Sequence, residues 1–386
     1  MGQSTVFSQV IKLIPRSEFQ SYVAEFDGDR GTRSIDCWTW FGSLLFGQLT
    51  GHDSIRAIER VFAHRDSEAV RLGFGPVRRS TLAEANRTRP LGVLEKVYRY
   101  CLERAQKAAP TKTGFRFHGD VFAMDSTTIE LCLSLSPWAQ FHHDRGACKL
   151  HTAIDIAGNL PQFAVITDGR THDVRIARNR LRFYFHKGAV LVFDKAYVDY
   201  DWMNELNDEG VFFVTRIKTN CRYQILKCHS HDRTRGLRAD QTIRLSSQRG
   251  GLYKGKLRRV SFRDPDTGKW LVFLTNRFDL SAKTICDLYK ARWKVELFFK
   301  TMKQNLRIKK FLGTSAHSVK AQILVALIAY LLVMLVKYSM TSDISIPDAM
   351  AVVGTLLLLK EPLSRLFGRL PRVTRHPCGS QLTLDL

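Results

Sequence analysis

The spacing of apolar residues divides the chain into parts with different expected structures. In residues 1–115 apolar side chains recur every three or four positions, which predicts short amphipathic helices. These helices are expected at 17–26, 35–49, 54–63, 81–87 and 91–106. Short basic helices separated by glycine turns are compatible with a helix-turn-helix DNA-binding domain, and a small helical bundle would show the same pattern.

From about residue 116 the pattern changes to short β-rich runs. Strands are expected at 121–125, 149–156, 160–167, 189–193 and 211–215, with helices at 174–186 and 200–207 between them. Strands interrupted by helices in this order predict an α/β domain with a mixed sheet.

A Gly- and Arg-rich segment, residues 217–277, interrupts this domain and predicts a β-rich insertion. Its strands are expected at 222–226, 241–245, 257–262 and 270–275. A helix then begins after Ser281, a plausible N-cap, and two apolar helices at 319–338 and 346–359 close the fold. The chain therefore divides into an N-terminal helical domain (1–115), an α/β core in two parts (116–216 and 278–360), a β-rich insertion (217–277) and a basic tail (361–386).

An unbroken run of apolar residues spans 323–336, between Lys320 and Lys337. A bilayer span needs about 20 such residues, so this run predicts a buried helix and no membrane partner.

The net charge of the chain indicates a binding partner. Lys and Arg number 59 against 36 Asp and Glu, and the net charge of +23 is spread along the chain. Such an excess indicates a polyanion, above all nucleic acid, although a membrane-surface or ribosomal protein would share it. Eight scattered cysteines and no signal-peptide pattern predict free thiols in the cytoplasm.

One predicted helix, residues 289–303, carries a charged row beside an apolar stripe. At 100° per residue Tyr289, Arg292, Glu296 and Lys303 fall within an arc of about 60°. The apolar stripe consists of Leu288, Ala291, Val295, Phe298, Phe299 and Met302. The expected solvent face consists of Lys290, Lys294, Thr301 and Gln304. Two explanations of the charged row are open. It is the surface of an ordinary helix with a chance Arg292–Glu296 ion pair, or its carboxylate takes part in metal and phosphate chemistry.

Two aspartates end apolar strands in the predicted sheet: Asp125 follows 121–124 and Asp194 follows 190–193. Each alone fits a turn residue. If a helix covering the same sheet brings Glu296 to them, three carboxylates meet with few cations between them. Oxygen ligands of this kind select Mg²⁺ or Mn²⁺, and two such ions about 3.5–4 Å apart catalyse phosphoryl transfer on nucleic acid.

The motifs Asp125-Ser-Thr-Thr, Asp194-Lys-Ala-Tyr and Tyr289-x2-Arg292-x3-Glu296-x6-Lys303 resemble those of bacterial insertion-sequence transposases of the DDE type that carry the Tyr-Arg-Glu-Lys signature. The likeness covers most of residues 15–340. One departure is small: relatives often have Gly two residues after the second Asp, where this chain has Ala196.

This resemblance implies an RNase H-like catalytic core split by a β-rich insertion. It implies that Asp125, Asp194 and Glu296 bind two Mg²⁺ or Mn²⁺ ions. By the same resemblance the DNA phosphates at the element end are held by Tyr289, Arg292 and Lys303. Relatives act as dimers, and an aromatic residue of the insertion often stacks on a flipped base.

Two further DNA contacts are candidates. Trp270 is the aromatic candidate for the stacked base, with strand packing as the alternative. Lys149 alternates with apolar residues and faces either DNA or solvent. Nearby, Asp155 and Asp168 fit turns, while Asp168 and His172 are candidates for supporting the acids.

We therefore predict a DNA transposase that binds terminal inverted repeats, cuts DNA and transfers the 3′ ends to target DNA. It is expected to work as a homodimer on double-stranded DNA in the bacterial cytoplasm. A transposase-derived DNA-binding regulator without catalysis, and a stand-alone nuclease, are the alternatives.

Overall fold

The computed structural model describes residues 4–64, 66–110, 115, 117, 119–131, 137–142, 145–171, 173–178, 184–246, 253–304, 306, 311–340 and 342–367. His172 and most of the expected tail, 368–386, lie outside these residues.

The first part of the chain is helical, as the apolar spacing predicts. Its helices are α1 (Val6–Ile11), α2 (Arg16–Glu25), α3 (Cys37–Thr50), α4 (Ile55–His64), α5 (Asp66–Arg71), α6 (Arg79–Thr88) and α7 (Leu91–Ala108). Helix α3 is the core of this group: Asp36 caps its start by accepting the N–H of Thr39, and Gly51 ends it in a left-handed conformation with φ 70°. It is buried from Cys37 to Leu49, so it packs against its neighbours on every side.

The described residues contain one ten-stranded sheet. Its strands are β1 (Val121–Leu131), β2 (Gln140–His142), β3 (Arg145–Asp155), β4 (Leu160–Asp168), β5 (Val190–Phe193), β6 (Phe212–Arg216), β7 (Tyr223–Cys228), β8 (Leu237–Leu245), β9 (Leu257–Arg263) and β10 (Trp270–Thr275). The order is β4-β3-β1-β5-β6-β10-β9-β8-β7, with β2 paired to the start of β3. Only β1–β5 and β5–β6 are parallel among these pairings.

The strands of the predicted insertion continue this sheet. β10 runs antiparallel to β6, with Phe273 opposite Arg216 and Thr275 opposite Val214. β9, β8 and β7 then extend the sheet outward. The sequence predicted these strands but not their common sheet with the core, because pairing partners are set by distant residues.

Helices cover both faces of the core strands. On one face lie α10 (Ala282–Ala291), α11 (Trp293–Gln304) and α12 (Ala316–Ser339), followed in the chain by α13 (Ile346–Leu356) and α14 (Leu363–Phe367). On the other lie α8 (Asp173–Ile176) and α9 (Tyr200–Asp208). Strand β1 alternates accordingly: Val121 and Ala123 join the first core, and Phe122 and Met124 the second.

Helix α12 is long and apolar enough to cross a membrane by length and composition. In this protein 94% of its most apolar stretch is buried inside the fold. Its Tyr330 ring packs edge-on against Phe298 of α11 at 5.0 Å. The run at 323–336 is therefore a core helix, as predicted.

The predicted helix through 289–303 is divided at Arg292. Its start is as expected, since the Ser281 side chain caps α10 by accepting the N–H of Thr284. The Arg292 N–H then bonds to Tyr289 O, and the Val295 N–H to Arg292 O. Bonds over three residues tighten the helix for one step before α11 begins.

Two residues of the predicted solvent face of this helix, and one predicted helix start, are corrected by the structure. Thr301 is buried, and Lys294 is half-buried with its ammonium donating to Ile156 O at 2.7 Å. The sequence spacing of Thr81 and Glu84 suggests a capping box, but α6 begins two residues earlier and the Thr81 hydroxyl donates to Arg78 O instead.

Candidate active site

Asp125 and Asp194 occupy equivalent positions on neighbouring parallel strands. The parallel pairing of β1 and β5 ends at Met124 opposite Phe193, and each aspartate is the next residue. Asp194 follows its strand, as predicted. Asp125 does not end β1, because β1 continues along its antiparallel partner β3 to Leu131. The aspartates lie where β1 and β5 part, the kind of crevice in which open α/β sheets bind ligands.

Backbone N–H groups orient both carboxylates. Asp125 Oδ1 accepts the N–H of Ser126 at 2.8 Å. Asp194 Oδ1 accepts the N–H of Lys195 at 2.6 Å, which caps a short 3-10 turn over Lys195–Tyr197. Asp125 continues the alternation of Val121 and Ala123 and so faces α10 and α11.

Arg292 joins Asp125 to Glu296. Its Nη1 donates to Asp125 Oδ2 at 2.9 Å, and its Nη2 donates to Glu296 Oε1. The Arg292 side chain is only 16% exposed, and its buried Nε has no hydrogen-bond partner among the described residues. The expectation that few cations separate the acids is therefore wrong: a guanidinium lies between two of them.

The electrostatics of Asp125 reflect this crowding. Burial raises the pKa of Asp125 to about 6, the Ser126 N–H and Arg292 oppose the shift, and the charges of Glu296 and Asp194 add to it. Both other acids thus act on Asp125. A carboxylate that is costly to ionise is typical of functional sites, although structural ion pairs produce similar shifts.

Among the described residues no three acidic, His or Cys side chains are close enough to enclose a metal ion as they stand. The donor set nevertheless fits one. The guanidinium of Arg292 occupies the place of a cation between two carboxylates, and carboxylate oxygens are the ligands that Mg²⁺ and Mn²⁺ prefer. A bound ion would need Arg292 to move aside.

The signature residues beside this cluster are less exposed than a phosphate contact suggests. Tyr289 is 9% exposed, with its ring 4.8 Å from that of Phe273 and Arg292 over its face at 5.7 Å. Burial, and then the charge of Asp194, raise the pKa of Tyr289 to about 12. Lys303, in the last turn of α11, is half-buried.

The structure does not place Trp270 or Lys149 in this cluster. Trp270 is 47% exposed at the start of β10, with the guanidinium of Arg238 5.2 Å from its ring centre. Lys149 lies on the opposite face of the sheet from Asp125 and forms an ion pair with Asp173 at 3.3 Å.

Two nearby aspartates are turn residues, as the sequence suggested. Asp155 accepts the N–H groups of Ala157 and Gly158, and Asp168 accepts both the N–H and the hydroxyl of Thr171. Neither reaches the acids through a hydrogen bond in the described part of the chain.

Sequence reasoning assigned no role to Ser126, Asp173 or Trp293, although Ser126 belongs to the Asp125-Ser-Thr-Thr motif. Ser126 and Asp173 belong to a polar network behind Asp125, and only the folded chain brings them together. Trp293 is 59% exposed directly after Arg292. The sequence indicates this exposure, because Trp293 lies outside the apolar stripe of the helix.

Comparison with known proteins gives two family matches. The family described as "Transposase DDE domain" matches residues 116–332, and a "Domain of unknown function (DUF4372)" matches residues 2–74. The first match contains Asp125, Asp194 and Glu296.

Individual relatives carry similar names. The Sinorhizobium fredii protein "Putative transposase y4zB" is 31% identical over 255 residues, covering 65% of this chain and 69% of the relative. The Geobacillus stearothermophilus protein "Probable transposase for insertion sequence element IS5377" is 29% identical over 255 residues, covering 66% of each.

Proposed function

Because the chain belongs to the DDE transposase family, we propose that it binds the terminal inverted repeats of an insertion sequence, cuts the DNA there and transfers the 3′ ends to target DNA. The observation that carries this proposal is the gathering of Asp125 and Glu296 about one guanidinium, beside Asp194, where two parallel strands part.

The sheet supports an RNase H-like catalytic core. Three antiparallel strands, β4, β3 and β1, are followed by the parallel strands β5 and β6, with helices on both faces. In this core Asp125 lies on β1, Asp194 directly follows the adjacent strand β5, and the glutamate is supplied by the covering helix α11. Residues 217–277 extend the sheet from the outer edge of β6, so they do not come between β1 and β5, where the two aspartates lie.

In the proposed reaction Asp125, Asp194 and Glu296 would hold two Mg²⁺ or Mn²⁺ ions. Bound there, the ions would supply activation of a water or a 3′-hydroxyl and charge stabilisation at the leaving oxygen of an in-line phosphoryl transfer. The Ser126 and Lys195 N–H groups keep the two aspartates oriented. Once displaced from the carboxylates, the Arg292 guanidinium is free to pair with a DNA phosphate, which it can contact through two parallel N–H groups.

The remaining DNA contacts are assigned by residue. Tyr289 and Lys303 extend the phosphate contacts on either side of Glu296, and Trp270 stacks on a base. Lys149 receives no DNA contact in this proposal, because it pairs with Asp173 on the other face of the sheet. The N-terminal helices contribute to recognition of the repeats, and the net charge of +23 attracts DNA through counterion release. Two copies of the chain join two element ends in the cytoplasm, at the nucleoid.

The test is an excision assay on DNA carrying the inverted repeats that flank the gene. Asp125→Ala, Asp194→Ala and Glu296→Ala should each abolish Mg²⁺-dependent cutting while a gel shift still shows end binding. Asp201→Ala, which removes an acid whose side chain is 55% exposed, is the matched control and should cut normally.

Three outcomes separate the alternatives. Cutting that survives the loss of the acids contradicts the proposed site. End binding by the wild-type protein with no cutting under any metal identifies a DNA-binding regulator. Metal-dependent cutting that ignores the repeats identifies a stand-alone nuclease.

A further inference from the structure

Behind Asp125, on the opposite face of the sheet, lies a compact polar network centred on Asp173. Asp173 Oδ1 accepts the Ser126 hydroxyl at 3.1 Å and the Lys149 ammonium at 3.3 Å, and it lies 3.7 Å from His151 Nδ1. The Asp173 side chain is 20% exposed and that of Lys149 is 17% exposed. Asp173 is therefore a largely buried carboxylate held by several contacts beside the candidate active site.

Ser126 is the link between the two faces. Its hydroxyl reaches Asp173 behind the sheet, while its backbone N–H holds Asp125 Oδ1 in front. Because neighbouring strand residues point to opposite faces, a side-chain bond at 126 fixes the peptide that orients the carboxylate at 125. Loss of the Ser126–Asp173 bond would therefore remove the side-chain restraint on the peptide that carries the N–H donor to Asp125.

The network is built to hold Asp173 still. Lys149 supplies its counter-charge and also donates to Thr171 O at 3.1 Å, which ties Asp173 to the segment before α8. His151 faces Ser126 across the β1–β3 ladder and is fully buried, with Nε2 3.0 Å from Thr167 Oγ1. Ser126, Lys149 and His151 thus all approach the same oxygen of Asp173.

Tyr197 connects the second aspartate to the same network. It ends the 3-10 turn that Asp194 caps, and its hydroxyl is buried. Burial, and then the charges of Asp173, Asp125 and Asp194, raise the pKa of Tyr197 well above 10. The charge of Asp173 thus acts on the tyrosine that ends the Asp194 turn.

We propose that Asp173 is a positioning residue for the metal site, which acts by holding Ser126 and through it the carboxylate of Asp125. This role rests on the proposed function, since it presumes that Asp125 binds metal. In this positioning role, Lys149 is the counter-ion of Asp173.

The experiment measures Mn²⁺ affinity without DNA, by the electron paramagnetic resonance signal of the free ion. Ser126→Ala and Asp173→Ala should each weaken Mn²⁺ binding about tenfold, the usual effect of losing a residue that orients a metal ligand. The double variant should be no weaker than the worse single one, because both changes remove the same link. Asp173→Asn keeps an oxygen that accepts the Ser126 hydroxyl and should bind Mn²⁺ nearly as the wild type does.

A purely structural role for Asp173 predicts a different pattern. Asp173→Asn would then be as weak as Asp173→Ala, because both leave the Lys149 charge without its partner, and this result overturns the proposal. Ser126→Ala keeps the Asp173–Lys149 pair, so it carries the test if the Asp173 variants do not fold; wild-type Mn²⁺ affinity in a folded Ser126→Ala protein also overturns it.

Asp125→Asn separates this proposal from the proposed function. If it abolishes Mn²⁺ binding while Ser126→Ala has no effect, the metal site stands and the positioning role fails. If Asp125→Asn binds Mn²⁺ as the wild type does, the metal site at Asp125 is itself refuted.

Discussion

Replacing Arg292 with Ala should make this protein bind divalent metal more tightly in the absence of DNA. The guanidinium holds Asp125 and Glu296 at the same time, so it competes for the oxygens that a metal ion needs. Arg292, to which the proposed function assigns a DNA phosphate, would then compete with the metal before DNA arrives.

The structure gives the size of the effect. A hydrogen bond to a charged group contributes about 1.5–3 kcal/mol, and a metal ion entering between the carboxylates must break at least one of the two. Since 1.4 kcal/mol is a factor of ten in affinity, Arg292→Ala should lower the Mn²⁺ dissociation constant roughly tenfold or more. The low exposure of the Arg292 side chain, 16%, keeps solvent from screening most of this interaction.

The assay is a Mn²⁺ titration at pH 8, above the raised pKa of Asp125 of about 6, so that protons do not compete with the metal. Lys290→Ala is the matched control, because it removes an exposed cation that pairs with Asp266 at 2.8 Å and should leave the affinity nearly unchanged. An Arg292→Ala affinity equal to or weaker than that of the wild type refutes the competition.

Two predictions concern stability, each measured by urea denaturation. Burial lowers the pKa of His151 to about 4 from 6.5, so between these values the unfolded chain binds more protons and the fold loses up to about 3 kcal/mol as the pH falls. His151→Gln should remove this loss between pH 7 and pH 4, whereas exposed His64→Gln should retain it; equal pH dependence in both variants contradicts the reasoning. Asp240→Ala leaves Arg258, 8% exposed, without its carboxylate and should cost about 3–5 kcal/mol. Asp232→Ala, in an exposed pair, should cost much less, and similar losses in the two variants would show that burial does not set the value.

Local patterns in the sequence were sufficient for most of the helices and strands. The apolar stripe that packs α11 is visible as helical spacing, and Asp194 is recognisable as the residue after a buried strand. Asp125 was misplaced at a strand end because its apolar run stops there, while the antiparallel partner β3 continues the ladder past it. Strand length depends on the partner as well as on the run itself.

The contacts that define the site were beyond such patterns. Arg292 and Asp125 are 167 residues apart, and nothing in either neighbourhood indicates that they pair. Asp173 is 47 residues from Ser126 and carries no spacing that marks it. Spacing along one helix shows which residues share a face, but it does not show which residues elsewhere in the chain that face contacts.

The ladder between β6 and β10 limits how this protein can be shortened. Residues 217–277 begin after β6 and include β10, so their removal would take away the strand that pairs with β6 on the side away from β5. The exposed N–H and C=O groups of β6 would then be open to pairing with other chains and to aggregation. A smaller descendant of this transposase must therefore keep β10, or supply another strand for β6, however much of the outer hairpins it loses.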